Sequence, residues 1–237
     1  MRLFQYAPDL LADHTTICGG VLHASSLQNG PTPEALLDSY TDEQAAVRAR
    51  LPESLSELPS LAAWRAAFRR FGANPTKYRS AAEALMRRLQ KKGDIPSINC
   101  LVDIGNLVSI RYALPVAIFD WRDVSGTVTV HPAAGHERFR ELGSDEVAHP
   151  PPGEVIFSDE TGMVLARRWC WRQSQESESR ADTSTAIVTV EAQHAGSLPD
   201  VEQALSDLSE LLATYAGGQI QGAILDAQHP VFDLEQT

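Results

Sequence analysis

The sequence predicts an α+β fold in which layered, mixed or antiparallel β-sheets carry helices packed on one side. Three observations predict it. Helix-period patterns fill the first half of the chain and return near its end, β-rich runs occupy the stretch between, and no internal repeat divides the 237 residues. With 43% hydrophobic and 22% charged residues, the chain has ample material for a sizeable core. It is read as one domain over residues 1–237, because the longest polar stretch, Arg172 to Thr185, is short enough to be a loop between strands.

The elements follow in order. Residues 15–28 (TTICGGVLHASSLQ) read as one or two strands with a glycine break. Thr32-Pro33-Glu34 opens a helix with an N-cap and a proline at the first helical position, running to about Arg50. Pro59 to Phe71 is a second helix, with Trp64, Phe68 and Phe71 spaced as a core stripe or a stacking platform. The third begins at Ser80: Ser80-Ala81-Ala82-Glu83 is a capping box, Lys91 and Lys92 favour the last turn, and Gly93 then Pro96 stop it. A fourth helix covers about Ser97 to Tyr112. LPVAIFD and GTVTVHP are strands, and GEVIFSD and MVLARRWCW flank a hairpin turn at Glu160-Thr161-Gly162. STAIVTVEA is a further strand, followed by the amphipathic helix SLPDVEQALSDLSELLATYAGG and the short strand QGAILD.

Charge is unevenly spread. The chain carries −11 overall, yet Arg65 to Lys92 holds nine bases against the lone acid Glu83, a local +8. An acidic body with one basic stripe suits selective contact with a polyanion; a solvated helix face gives the same pattern. Three separated cysteines, Cys18, Cys100 and Cys170, form neither a metal-binding pair nor a disulfide framework. Asp9 and Asp13 interrupt any signal-peptide core, and no run approaches the ~18 apolar residues of a membrane span. A cytoplasmic protein without a membrane partner is expected.

Two clusters could carry chemistry. Asn99, Asp103 and Asn106 stand at i, i+4 and i+7, on one face of the predicted helix. Such a buried ladder either bonds to a loop of the protein itself or lines a polar pocket. In Arg167-Arg168-Trp169-Cys170-Trp171-Arg172-Gln173, strand alternation puts Arg167, Trp169 and Trp171 on one face and Arg168, Cys170 and Arg172 on the other. These side chains can stack on a base and hold a phosphate, or simply cover a sheet. The seven histidines show no zinc spacing, and no phosphate loop, dinucleotide fingerprint or nucleophile elbow is present. No metal, nucleotide or other cofactor is expected.

The run INCLVDIGNLVSIRYALPVAIFD (Ile98–Asp120) resembles a segment of the phenylalanyl-tRNA synthetase β-subunit, matching at Asn99, Val102, Asp103, Asn106, Pro115, Phe119 and Asp120. YRSAAEALMRRL, GTVTVHPAAGHERFRELG and the strand with Thr183 and Glu191 resemble neighbouring stretches in the same order, so the likeness spans about residues 75–195. It implies the B3/B4 module, a fold of layered sheets and helices that in the synthetase hydrolyses mischarged tRNA. Two departures stand out. Ala117 falls where the family usually has a histidine, and Arg168 to Gln173 replaces a glycine-rich segment, a pattern more like free-standing members. The chain has no room for an aminoacylation domain, so it is not expected to be a ligase.

Two functions follow from the resemblance. The first is a trans-acting deacylase of mischarged aminoacyl-tRNA, an ester hydrolase needing a positioned water and oxyanion donors but no nucleophile. Asp103, Glu137 and Glu154 are its catalytic candidates, with Asp103 placed to hold the substrate ammonium and the glutamates to orient water. Asn99, Asn106, Arg168, Trp169 and Arg172 are candidates for substrate binding, and Arg87, Arg88, Lys91 and Lys92 for the tRNA body. The second is a noncatalytic module that binds tRNA or an amino-acid-like ligand, which the loss of the histidine at Ala117 favours. The sequence leaves open the amino acid, the tRNA and the oligomeric state.

Overall fold

The computed structural model describes residues 2–235. In chain order the elements are β1 (Leu3–Tyr6), α1 (Pro8–Asp13), β2 (Cys18–Ser25), α2 (Glu34–Arg50), α3 (Pro59–Arg70), α4 (Ala81–Lys92) and α5 (Cys100–Tyr112). Then come β3 (Val116–Asp120), β4 (Val128–Pro132), β5 (Phe139–Arg140), β6 (Val147–Ala148), β7 (Val155–Ser158), β8 (Val164–Arg167) and β9 (Arg172–Gln173). The chain closes with β10 (Thr185–Ala192), α6 (Leu198–Tyr215), β11 (Gln219–Leu225) and β12 (Val231–Asp233). Among these residues no helix is long and apolar enough to cross a membrane.

Two sheets and a helical layer stack in an α+β architecture. The antiparallel sheet β11-β2-β10-β3 lies in the middle. The mixed sheet β12-β1-β4-β7-β8-β9 lies on one side, with β1 and β4 parallel. Strand alternation in β10 explains the layering. Ala186, Val188, Val190 and Ala192 pack with α2, α5 and α6. Ile187 points the other way, into a core shared with Phe4, Phe119, Phe157 and Trp169. Trp64 and Phe68 of α3 close the end of that second core, which is why their spacing was apolar.

Most local signals act as read, with instructive exceptions. The Gly19-Gly20 pair does not break β2: a side chain at Gly19 would collide with the Tyr6 hydroxyl, and one at Gly20 with Leu205. Thr32 does not cap α2. Pro33 holds the N-cap position, and the Thr32 hydroxyl donates instead to Asp103 Oδ2 at 2.6 Å. Ser80 does cap α4, accepting from the Glu83 amide at 3.3 Å, and Gly93 ends it at φ 86°, where a Cβ would be strained. The Glu83 carboxylate does not complete the box. It is 1% exposed and binds Arg65 and Arg87 at 2.8 Å each, with Arg79 at 3.9 Å. One buried acid thus anchors three arginines of the basic stripe. α5 begins only at Cys100, and the predicted strand MVLARRWCW ends at Arg167.

Candidate functional site

The strand ends at Arg167 because Arg168 and Trp169 both take left-handed backbone angles, φ 46° and 58°. Non-glycine residues hold such angles only where their surroundings over-determine them. Here they do. The Trp169 ring is fully buried, edge-on to Trp64 and His14 with centroids 5.2 and 4.8 Å away. Its backbone N–H donates to the Val155 carbonyl at 2.6 Å. The Arg168 guanidinium lies 3.8 Å from the Tyr78 ring centre and 4.4 Å from that of Trp171. Finally the Ala81 amide, in the first turn of α4, donates to the Cys170 carbonyl at 2.8 Å. That bond fixes the basic helix beside the turn.

Below the turn sits Glu191 of β10, 2% exposed. The Trp169 indole N–H donates to both of its oxygens at 3.2 Å, and the Tyr6 hydroxyl donates to Oε1 at 2.8 Å. Burial pushes the carboxyl up to about 7, against the pull of the Tyr6 and Trp169 hydrogen bonds. No cation pairs with it among the described residues. Glu191 borders a cavity of about 70 Å³ with Thr189, Ala117, Phe119, Trp169 and Gln173. Ala117 and Thr189 are direct register partners across β3 and β10.

Two further hollows adjoin this one. A cavity of about 230 Å³ shares Val116, Ala117 and Gln173 with it and is rimmed by Ile98 and Leu142. Those two side chains are 65% and 48% exposed, unusual for large apolar groups. On the other flank, a groove of about 460 Å³ shares Trp171 and Arg172 and is lined by Lys77, Arg79, Arg87, Arg88, Lys91 and Lys92. The small cavity therefore lies between an apolar shelf and a basic trough.

The residues named from the sequence divide between these places. Arg87, Arg88, Lys91 and Lys92 all line the basic groove. Arg172 stands where groove and cavity meet; it is half exposed, pairs with Glu141 and lies over the Trp171 ring at 4.6 Å. Trp169 borders the cavity but is too buried to stack on a base, and the turn abolishes the predicted alternation of Arg168 and Trp169. The Asn99–Asp103–Asn106 ladder does not form. Asn99 is the N-cap of α5, accepting from the Val102 amide at 3.0 Å and donating to the Ser179 carbonyl at 3.2 Å. Asp103 is wholly buried; it accepts from the Thr32 hydroxyl, the Ser97 hydroxyl and the Ile98 amide. Only Asn106 reaches a cavity, on the shelf side.

Nor do Glu137 and Glu154 meet the cavity. Burial would raise the Glu137 carboxyl, but the amides of Ala134 and Gly135, donating at 2.7 and 2.8 Å, outweigh it and hold the group below its usual value. Glu154 takes two hydrogen bonds from Arg167, at 2.9 and 3.1 Å, and one from the Arg168 amide at 3.2 Å. Both tie down loops. Asp103→Ala is accordingly expected to destabilise the protein by about 2–3 kcal/mol, since it strands three donors, while leaving ligand affinity of the folded fraction unchanged. A urea midpoint measured beside a binding titration checks this.

The sequence reading did not single out Glu191, Thr189 or Tyr6 as cavity residues or their partners. One signal was available: Thr185, Thr189 and Glu191 at alternate positions of a strand whose other face is wholly apolar. These features define an α+β domain with a carboxyl-lined pocket that opens between two sheets beside a basic helix. The chain belongs to the B3/4 domain family, whose family model matches residues 63–217. It is 30% identical over 88 residues to the phenylalanine–tRNA ligase β-subunit of Shewanella oneidensis, covering 37% of this chain and 11% of that protein. To the β-subunit of Ruegeria pomeroyi it is 37% identical over 65 residues, 27% of this chain and 8% of that one. The chain thus spans only a small part of these relatives. A solved N-terminal fragment of the phenylalanyl-tRNA synthetase β-subunit from Pyrococcus horikoshii aligns over 92% of this chain and 50% of its own, with a TM-score of 0.47 and 14% identity.

Proposed function

We propose that this chain hydrolyses mischarged aminoacyl-tRNA in trans. The observation that carries the reading is Glu191: a buried carboxyl with a pKa near 7, unpaired with any cation among the described residues, in a cavity beside a basic groove. A group half-protonated near neutrality is suited to take a proton from water as it attacks the ester carbonyl, and to return it to the departing ribose oxygen. Tyr6 and Trp169 keep its oxygens oriented meanwhile.

The neighbours fit the rest of such a substrate. Gln173 Nε2 donates to the carbonyls of Ile118 and Ser177, which fixes the amide and leaves Oε1 as an acceptor for the substrate ammonium. The apolar shelf at Ile98 and Leu142 accommodates the terminal base. Arg172 exchanges Glu141 for a phosphate, and the groove of Arg87, Arg88, Lys91 and Lys92 takes the backbone beyond. The relatives' names point to the same class of nucleic acid.

The test is a panel of aminoacyl-tRNAs, each incubated with the protein and with buffer alone. Hydrolysis of at least one at a rate clearly above buffer is expected; equal rates across the panel sink the enzyme. Turnover separates the alternative, a noncatalytic binder, which the alanine at position 117 favours: it would hold tRNA, with a steep salt dependence, and hydrolyse nothing. In either case Lys91→Ala/Lys92→Ala is expected to flatten the plot of log affinity against log salt by about 1 per lysine removed. For the enzyme the same change raises KM and leaves kcat alone. An unaltered slope would take tRNA off this groove.

A further inference from the structure

Thr189 is the second buried polar side chain of the Glu191 cavity, and its position says what the cavity is shaped to receive. It is 1% exposed, faces the cavity from β10, and its hydroxyl makes no hydrogen bond with the chain among the described residues. Sealed hydroxyls are almost always bonded to something; this one is not sealed but opens to the cavity, where it is free to bond a group that enters. Opposite it stands Ala117, whose methyl group neither fills the space nor offers a bond. Gln173 has its donors fixed on carbonyls, and Glu191 is held by Tyr6 and Trp169.

Size narrows the choice. An apolar cavity of about 150 Å³ takes up benzene; this one is about 70 Å³, less than half of that. Phe119, Phe157 and Trp169 form its inner wall, and Phe119 and Trp169 are fully buried, so the space cannot widen inward without disturbing the core between the sheets; outward it opens past Ala117 and Gln173 toward the shelf. A phenyl or phenol ring exceeds the inner volume. A side chain of two or three heavy atoms fits.

We infer that the acyl pocket selects small hydroxylated amino acids, seryl and threonyl esters, with Thr189 as the specificity-determining residue that hydrogen-bonds the substrate hydroxyl. This rests on the deacylase reading and deepens it. Discrimination of this kind has a physical basis: a pocket built to hydrogen-bond a hydroxyl loses affinity for analogues lacking it, because its own polar group is then left unpaired.

The experiment compares kcat/KM for tRNAs carrying serine, threonine, alanine and tyrosine, with the wild-type protein and with Thr189→Val, which keeps the shape of the side chain and removes its hydroxyl. Seryl and threonyl esters are expected to turn over roughly 10-fold or more faster than alanyl and far faster than tyrosyl ones. In Thr189→Val the advantage of seryl over alanyl ester falls to near unity, while alanyl hydrolysis persists, which also shows that the variant is folded. Tyrosyl ester cleaved as fast as seryl ester overturns the size selection. A seryl preference that survives in Thr189→Val overturns the role of the hydroxyl. In both cases the deacylase stands, whereas failure on all four esters and on the wider panel removes deacylase and selectivity together.

Discussion

Glu191→Gln is expected to abolish hydrolysis and, at pH 8, to make the protein more stable than the wild type. Both effects come from one burial. In the unfolded chain this carboxyl loses its proton near its usual 4.5; in the folded protein it keeps it to about 7. Between those values the folded state binds a proton that the unfolded state has released, so wild-type stability falls as pH rises through this window and then levels off. At about 1.4 kcal/mol per pKa unit the loss amounts to about 3 kcal/mol by pH 8. Glutamine keeps an acceptor for Tyr6 and Trp169 but has no charge to bury. Denaturant melts at pH 4.5 and pH 8 should show the variant gaining on the wild type only at the higher value. Single-turnover rates should fall by roughly 100-fold or more if the carboxylate is the base. A variant that hydrolyses esters normally would leave Glu191 a structural group.

Trp169→Ala is expected to give the largest loss of stability, about 3–5 kcal/mol, as for other fully buried aromatic deletions. The indole touches Trp64, His14 and Phe71 and holds two consecutive left-handed residues in place. Because loss of folding alone would be uninformative, Trp169→Phe supplies the sharper measurement. It retains most of the packing but removes the N–H donor to Glu191. Losing a donor to the charged form raises the carboxyl further, so the ascending limb of the pH–rate profile should move to higher pH. A profile that stays put would separate the indole from the chemistry.

How far the sequence went depends on the range of the interaction concerned. α4 was legible because a serine, two lysines and a glycine act within a turn or two of where they stand. The β7–β8 hairpin was legible through its turn residues at Glu160 to Gly162. β1 and β12 were not: each is short, and β1 gains its meaning only by pairing with Val128 to Val130 and with Val231 to Asp233. The same limit governs the site. Clustered positive charge is visible along a chain, so the groove of Arg87 to Lys92 could be named in advance. The three-residue ladder failed because helical spacing holds only inside a helix, and Asn99 stands at its threshold, bonding backward as a cap. Glu191 was hidden for a different reason. Its raised pKa comes from burial beneath a second sheet, which outweighs the opposing hydrogen bonds from Tyr6 and Trp169, and all three approach it from distant parts of the chain.

The Tyr6–Glu191 contact has a mechanical side. Tyr6 belongs to one sheet and Glu191 to the other, and much of the layer between them is hydrocarbon, which resists separation but not sliding. A directional bond at that depth works as a rivet, and the bare backbone of Gly19 is the hole through which it passes. A proton gained or lost by Glu191 alters the strength of that rivet, because a carboxylate is a stronger acceptor than a carboxylic acid.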